Sequence, residues 1–244
     1  MIKAAIEKIQ QMSAPKIEEI QGRHFFVNGD GPKEIMPTVF LPETIELKSL
    51  DAMVKMVKTE ALKKWKAPFY IEVSGPTKVH CYTQPKGVED RFARNYLYNA
   101  TATDIPGWET REQMNFEEAM IALRTRFQPT EDTIYALKLL SDITTGSKVT
   151  YNDNGIATSV VTRKGIDLQS NAAIRPIVNL KPYRAFQEVD QPASDFLIRI
   201  NDRGILFTEA DGGMWKLAAR QTIKEYFEKA FKDEIKAGDV VVML

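Results

Sequence analysis

The stretch Tyr183–Ile200, YRAFQEVDQPASDFLIRI, gathers Arg184, Glu188, Asp190, Asp195 and Arg199 into one short run. Read as a strand, its first half sets Arg184, Glu188 and Asp190 on one face, and carboxylates two residues apart on a strand stand roughly 6–7 Å from each other. That spacing suits a general acid and a general base. Such a pair works only when its surroundings push the two pKa values apart, whereas a neighbouring guanidinium holds both groups ionised. The run therefore reads as a solvated or intersubunit ion-pair face on two strands, divided at Pro192, which has no N–H for a sheet ladder. In the second strand Phe196, Ile198 and Ile200 alternate with Asp195, Leu197 and Arg199, so one side is buried. Glu209 and Asp211, in TEADGGMW, form a second acidic pair. Their position before Gly212-Gly213 favours capping a helix over holding a metal.

Phe92, Arg94, Tyr96 and Tyr98 recur at every second residue, which predicts one strand face of rings interleaved with arginine. Such a face stacks unpaired bases. Lys55 and Lys58, with Lys63, Lys64 and Lys66, line an expected helix nearby in sequence. Arg94, Tyr96, Tyr98, Lys55 and Lys58 are thus the residues of a nucleic-acid-binding alternative. The plainer reading is that strand aromatics pack in a core and helix lysines face water.

Catalytic signatures are otherwise missing: the chain has no Walker loop, no G-x-G-x-x-G, no G-x-S-x-G and no H-E-x-x-H. Its histidines are His24 and His80 and its one cysteine is Cys81; His80 and Cys81 are neighbours on a strand and point to opposite faces. No catalytic residue, cofactor or metal is expected, and the turn Asn152-Asp153-Asn154-Gly155 lacks the closing glutamate of a calcium loop.

Lysine plus arginine and aspartate plus glutamate each number 33, so no basic surplus drives counterion release from nucleic acid. A single cysteine excludes an internal disulfide and fits a reducing cytoplasm. No apolar run approaches the ~20 residues that span a bilayer, and the first residues lack a signal-peptide core. A soluble cytoplasmic protein without membrane partners is expected.

The elements that must position these residues are legible in outline. Ile2, Ile6, Ile9 and Met12 stripe a short N-terminal helix, and residues 1–14 either pack on their own body or form an arm that grips a neighbouring subunit. Ser49 caps a helix through Trp65, FYIEVSGPTKVHCYT makes a hairpin, and residues 91–103 add a strand. Asn115 and Glu118 form a capping box before one central helix, and Pro129-Thr130 opens another. Beyond 147 the pattern turns to strands, at about 174–190, 194–200 and 204–209, before a long helix from Gly212 and a last strand, DVVVML. The expected fold is α+β and mostly antiparallel: an N-terminal lobe over 1–146 and a β-rich lobe with the long helix over 147–244, in one body.

The blocks SVVTRKGIDL, LKPYRAFQEVDQPASDFLIRI, LFTEADGGMWKLAARQTIKEYFEKAF and IKAGDVVVML resemble, in order and spacing, the YfdQ-like family of phage- and prophage-encoded proteins of unknown function. RFARNYLYNATATDIPGWE and NFEEAMIALRTRF are similar more loosely. The resemblance implies a phage or prophage origin and the cytoplasm of a bacterial host, and it carries no catalytic residues. The leading expectation is a non-enzymatic homo-oligomer, a large closed assembly among its forms, with Ile2, Ile6, Ile9, Arg184, Glu188 and Asp190 at the interface. Single-strand nucleic-acid handling is the alternative, and sequestration of a host defence protein or its signal molecule a third.

Overall fold

The computed structural model describes residues 2–13, 16–28, 31–35, 43–87, 92–108, 112–145, 148–153, 158–164, 167–173, 175–201 and 204–244. They divide into two units, 1–41 and 42–244, and not at residue 146.

The first unit holds helix α1 (Ile2–Ser13) and an antiparallel meander of β1 (Lys16–Ile20), β2 (Arg23–Asn28) and β3 (Gly31–Glu34). Gln21 and Gly22 both take positive φ, as a two-residue hairpin turn between right-twisted strands requires. Ile2, Ile6 and Ile9 of α1 and Ile17 and Ile20 of β1 are all exposed.

In the second unit, β4 (Ile45–Leu47) leads to α2 (Leu50–Met56), whose cap Ser49 accepts the Ala52 N–H at 3.2 Å. A π turn (Val57–Ala61) and α3 (Leu62–Lys64) continue it. Then come β5 (Phe69–Gly75), β6 (Lys78–Thr83) and β7 (Tyr96–Thr101), and further on β8 (Gln113–Met114), α4 (Phe116–Thr125) and α5 (Glu131–Thr145). The capping box closes on both sides: Asn115 Oδ1 accepts from Glu118 N at 2.9 Å and Glu118 Oε2 from Asn115 N at 3.0 Å. β9 (Lys148–Asp153), β10 (Thr158–Lys164) and β11 (Asp167–Ala173) form an antiparallel sheet; the Asn154-Gly155 turn lies outside the described residues. The chain ends in β12 (Ile177–Leu180), β13 (Ser194–Asn201), β14 (Gly204–Glu209), α6 (Trp215–Ala230), α7 (Lys232–Ala237) and β15 (Val240–Met243).

Two hydrophobic cores explain why no boundary falls at 146. One lies under the five-stranded sheet β15-β5-β6-β7-β4, where Leu50, Met53 and Val57 of the α2 segment and Ile223 and Phe227 of α6 meet Ile71, Val79, Cys81 and Tyr98. The other lies under β12-β13-β14-β8, where Leu123 and Leu140 of α4 and α5 meet Val178, Phe196, Ile198 and Phe207. The residues on either side of 146 share this second core, and the first is completed only by the last thirty residues. The fold is α+β with largely antiparallel sheets, as expected. The exceptions are β15 beside β5 and β4 beside β7, which run parallel. Gly204, at φ +127°, brings β14 against β8: a Cβ there would lie 2.0 Å from the Met114 carbonyl oxygen.

The expected strand over 174–190 is corrected to the four residues of β12. Beyond Leu180 the chain leaves the sheet, and Pro182 forms an isolated bridge with Phe127 in the connection between α4 and α5. The buried amide of Gln191 takes the place of a ladder: its Oε1 accepts from the backbone N–H groups of Arg184 and Ala185, both at 3.0 Å, and its Nε2 donates to the Phe186 carbonyl at 2.9 Å. Backbone groups satisfied by a side chain need no partner strand.

Candidate functional site

Arg184 leaves that Gln191-braced loop and enters the molecule, where its side chain is 8% exposed. Its Nη1 donates to Glu209, its Nη2 to the Ser194 hydroxyl and to the Pro192 carbonyl at 3.3 Å, and its face lies 3.9 Å from the Trp215 ring. Ser194 in turn donates to Asp211 at 2.6 Å, and Asp211 accepts from the N–H groups of Gly213 (2.9 Å) and Trp215 (3.2 Å). The group thus ties a loop, β13, β14 and the start of α6 together. Asp211 holds the first N–H of α6 from three residues before the N-cap position, Met214, so it serves the helix start as the sequence suggests without being the cap residue itself.

Burial lowers the Arg184 pKa to about 10 against the opposing pull of Glu209 and Asp211, so the guanidinium stays charged at neutral pH. Burial would raise the Asp211 carboxyl, but the hydrogen bonds from Ser194, Gly213 and Trp215 and the Arg184 charge bring it below the ordinary carboxylate value. A general base works best with a pKa near the working pH. Asp211 is therefore a poor base for Ser194, and the cluster has the chemistry of a lock. A cleft of about 550 Å³ beside it is lined by Met214, Trp215, Leu217 and Ala218. Its acidic groups are engaged, Asp211 as described and Asp195 by the Asn179 amide at 2.8 Å.

Glu188 and Asp190 share neither a strand nor a partner with Arg184. Glu188 Oε1 accepts the Leu50 N–H at 2.7 Å, at the positive end of the α2 dipole, and Asp190 pairs with Lys181 at 2.8 Å. The expected shared ion-pair face of Arg184, Glu188 and Asp190 is therefore corrected. Arg184 is too deep for an interface, while Glu188 and Asp190 are used within the chain.

A second arginine meets aromatic rings on the outer face of the five-stranded sheet. Arg94 lies 4.9 Å from the Tyr70 ring and 5.3 Å from the Tyr82 ring and donates to the Thr83 carbonyl at 3.2 Å. Tyr70 stacks on Tyr82 at 5.8 Å, Tyr82 meets Tyr96 at 5.1 Å, and His80 stands edge-on to Tyr96 at 5.9 Å. Tyr96 is 45% exposed.

This grouping differs from the expected one. Cys81 pairs with Tyr98 but Tyr82 pairs with Tyr96, so a register shift leaves Leu97 as an extra residue. A bulge of that kind reverses the alternation of faces. Tyr96 faces out, while Tyr98 is 2% exposed in the core, its phenol pKa pushed up to about 12 first by burial and then by Glu60 and Cys81. Tyr98 is thereby removed from the base-stacking set, and exposed Phe92 lies outside the strand at φ +56°. Lys55 and Lys58 sit on the segment that packs under the inner face. Lys58 pairs with Glu234 at 3.1 Å and lies 5.5 Å from the Phe231 ring. Tyr70 and Tyr82 are the ring residues that sequence reasoning missed, although FYIEVSG and KVHCYT place both on the face opposite the core.

Among the described residues no three His, Cys, Asp or Glu side chains converge as a metal site, and no helix is long and apolar enough to cross a membrane. No family model, curated protein or solved structure matches this chain.

Proposed function

We propose that this chain is a phage- or prophage-encoded, non-enzymatic protein that works in the bacterial cytoplasm by assembling with copies of itself. The observation that carries the reading is the first unit: six isoleucines, Ile2, Ile6, Ile9, Ile17, Ile20 and Ile35, are exposed, and no buried hydrophobic side chain precedes Leu50 among the described residues. Ile2 is 78% and Ile9 64% exposed. A unit of about 40 residues without a core needs a metal, a disulfide or a partner to hold its shape. The chain's single cysteine excludes an internal disulfide. A second copy provides the apolar surface that α1 requires, and the phage origin rests on the YfdQ-like resemblance. Supporting a non-enzymatic role, Glu188, Asp190 and Asp211 are each engaged in hydrogen bonds or ion pairs within the chain. Light scattering at two concentrations tests the reading: a mass well above 27.7 kDa, lowered by Ile6→Asp with Ile9→Asp, is expected. A monomer at both concentrations overturns it.

A second reading, single-strand nucleic-acid handling, draws on the Arg94–Tyr82–Tyr96 face. It expects salt-sensitive binding of an oligonucleotide that Tyr96→Ala weakens by about tenfold, the value of one base-aromatic stack. No binding at low salt ends it.

A further inference from the structure

The cleft beside the Arg184 cluster has a volume of about 550 Å³, inside the roughly 300–1,000 Å³ of pockets that hold small molecules. One wall is the outward stripe of α6, where Met214, Leu217 and Ala218 recur at helical spacing; Met214 is 63% and Leu217 49% exposed. The residues behind that wall are fixed, since Ser194 is 2% exposed and the Trp215 ring is covered by Arg184. Buried anchors hold the apolar wall in one geometry, so a ligand meets a preformed surface.

The charges on the lining decide what that ligand is. Among the described residues the cleft is lined by two carboxylates, Asp195 and Asp211, and by no lysine or arginine. Asp211 accepts from Ser194, Gly213 and Trp215, and in doing so it already fills the positive end of α6, where an anion would otherwise bind. Asp195 is different. It is exposed, and the hydrogen bond its carboxylate accepts among the described residues comes from the Asn179 amide at 2.8 Å, whereas a carboxylate can accept about four. Cations of the neighbouring elements have partners of their own: Arg175 pairs with Asp132 at 3.0 Å, Lys181 with Asp190 at 2.8 Å and Arg184 with Glu209. Lys216 lies 5.8 Å from the centre of the Trp215 ring and is not among the lining residues.

An apolar molecule that settles on Met214 and Leu217 takes water from Asp195, and a carboxylate gives up that hydration only against a counter-charge. We infer that the cleft binds a small organic ammonium ion, its apolar body on Met214, Leu217 and Ala218 and its N–H groups donated to Asp195. Gln221, whose amide N–H goes to Glu225 at 3.1 Å, keeps its carbonyl oxygen as a second acceptor on the same lining. The inference goes beyond self-assembly and does not depend on it, because every residue it uses belongs to the second unit of a single chain.

Calorimetric titration of the full chain with 2-phenylethylammonium, against 3-phenylpropionate as the anion of similar shape, tests the site. The ammonium ion is expected to bind about tenfold more tightly than the carboxylate, the value of one charge-assisted hydrogen bond. Asp195→Asn keeps an oxygen for the Asn179 amide and is expected to weaken the ammonium ion by a similar factor. Leu217→Lys, at an exposed helix position where circular dichroism should show the fold unchanged, is expected to abolish binding. Equal affinity for the two ions overturns the inference, as does the absence of heat with either. Binding that survives both substitutions lies elsewhere on the molecule and overturns it too. A chain that is monomeric by light scattering yet binds the ammonium ion with this pattern upholds the site while overturning the self-assembly reading.

Discussion

Arg184 and Arg94 both lie against aromatic rings, yet Arg184 is buried and Arg94 only partly so. Arg184 is enclosed and held by Glu209, Ser194, the Pro192 carbonyl and the face of Trp215. Arg94 rests on Tyr70 and Tyr82 with a hydrogen bond to the Thr83 carbonyl, beside a half-exposed Tyr96. A buried charge is tolerable only with its partners in place, so the first arrangement holds elements in register. The second leaves ring surface beside a cation in contact with water, which a ligand can use. An arginine laid on aromatic rings is common to the two places, and carboxylate partners and burial separate their roles.

That contrast breaks most directly at the enclosed arginine. Arg184→Ala removes the buried cation that faces Glu209 and Asp211 and is expected to cost about 3–5 kcal/mol in urea denaturation; a loss under 1 kcal/mol would remove the lock. Ser194→Ala takes away both the acceptor of Arg184 and the donor to Asp211, with an expected loss of about 1–3 kcal/mol. Acid sharpens the comparison next. The Asp211 carboxyl is lowered in the folded state, so its contribution is present above the ordinary carboxylate pKa and is lost as pH falls through the folded value. Denaturation of wild type and Asp211→Asn at pH 7 and near pH 3 should show a gap at pH 7 that narrows in acid; a gap independent of pH would contradict the assignment. The smallest stability effect is expected at the open arginine. Arg94→Ala should cost at most about 1 kcal/mol, in the range for exposed cation–π contacts, with the fold unchanged by circular dichroism.

Much of this contrast was legible in the sequence, and the missing parts have specific causes. Caps and periodicity located α2, α4 and α5, the hairpin of β5 and β6, and the alternation of Phe196, Ile198 and Ile200, because those signals are local. The role of Asp211 at the start of α6 was equally local. Arg184 could not be placed, since its depth depends on a buried glutamine seven residues on that satisfies backbone groups otherwise read as strand. The aromatic face was half right: a one-residue bulge at Leu97 turned Tyr98 inward, and no periodic pattern announces a bulge. The division of the chain escaped sequence reasoning for a third reason, the sharing of each core by segments far apart in the chain.

The parallel pairing of β15 with β5 also bears on how the chain is made. Phe69 leaves the ribosome about 170 residues before Val240, its partner. At synthesis rates of ~5–20 residues per second, that interval is roughly 10–30 s. Throughout it, the β5 side of the nascent sheet lacks its final strand and α6 has not arrived to cover the apolar face of Ile71 and Val73, while the second core, complete by Phe207, can already close. The order of synthesis thus makes the inserted core the earlier folding unit and the surrounding sheet the later one. The half-made sheet is the species that a chaperone would have to shield.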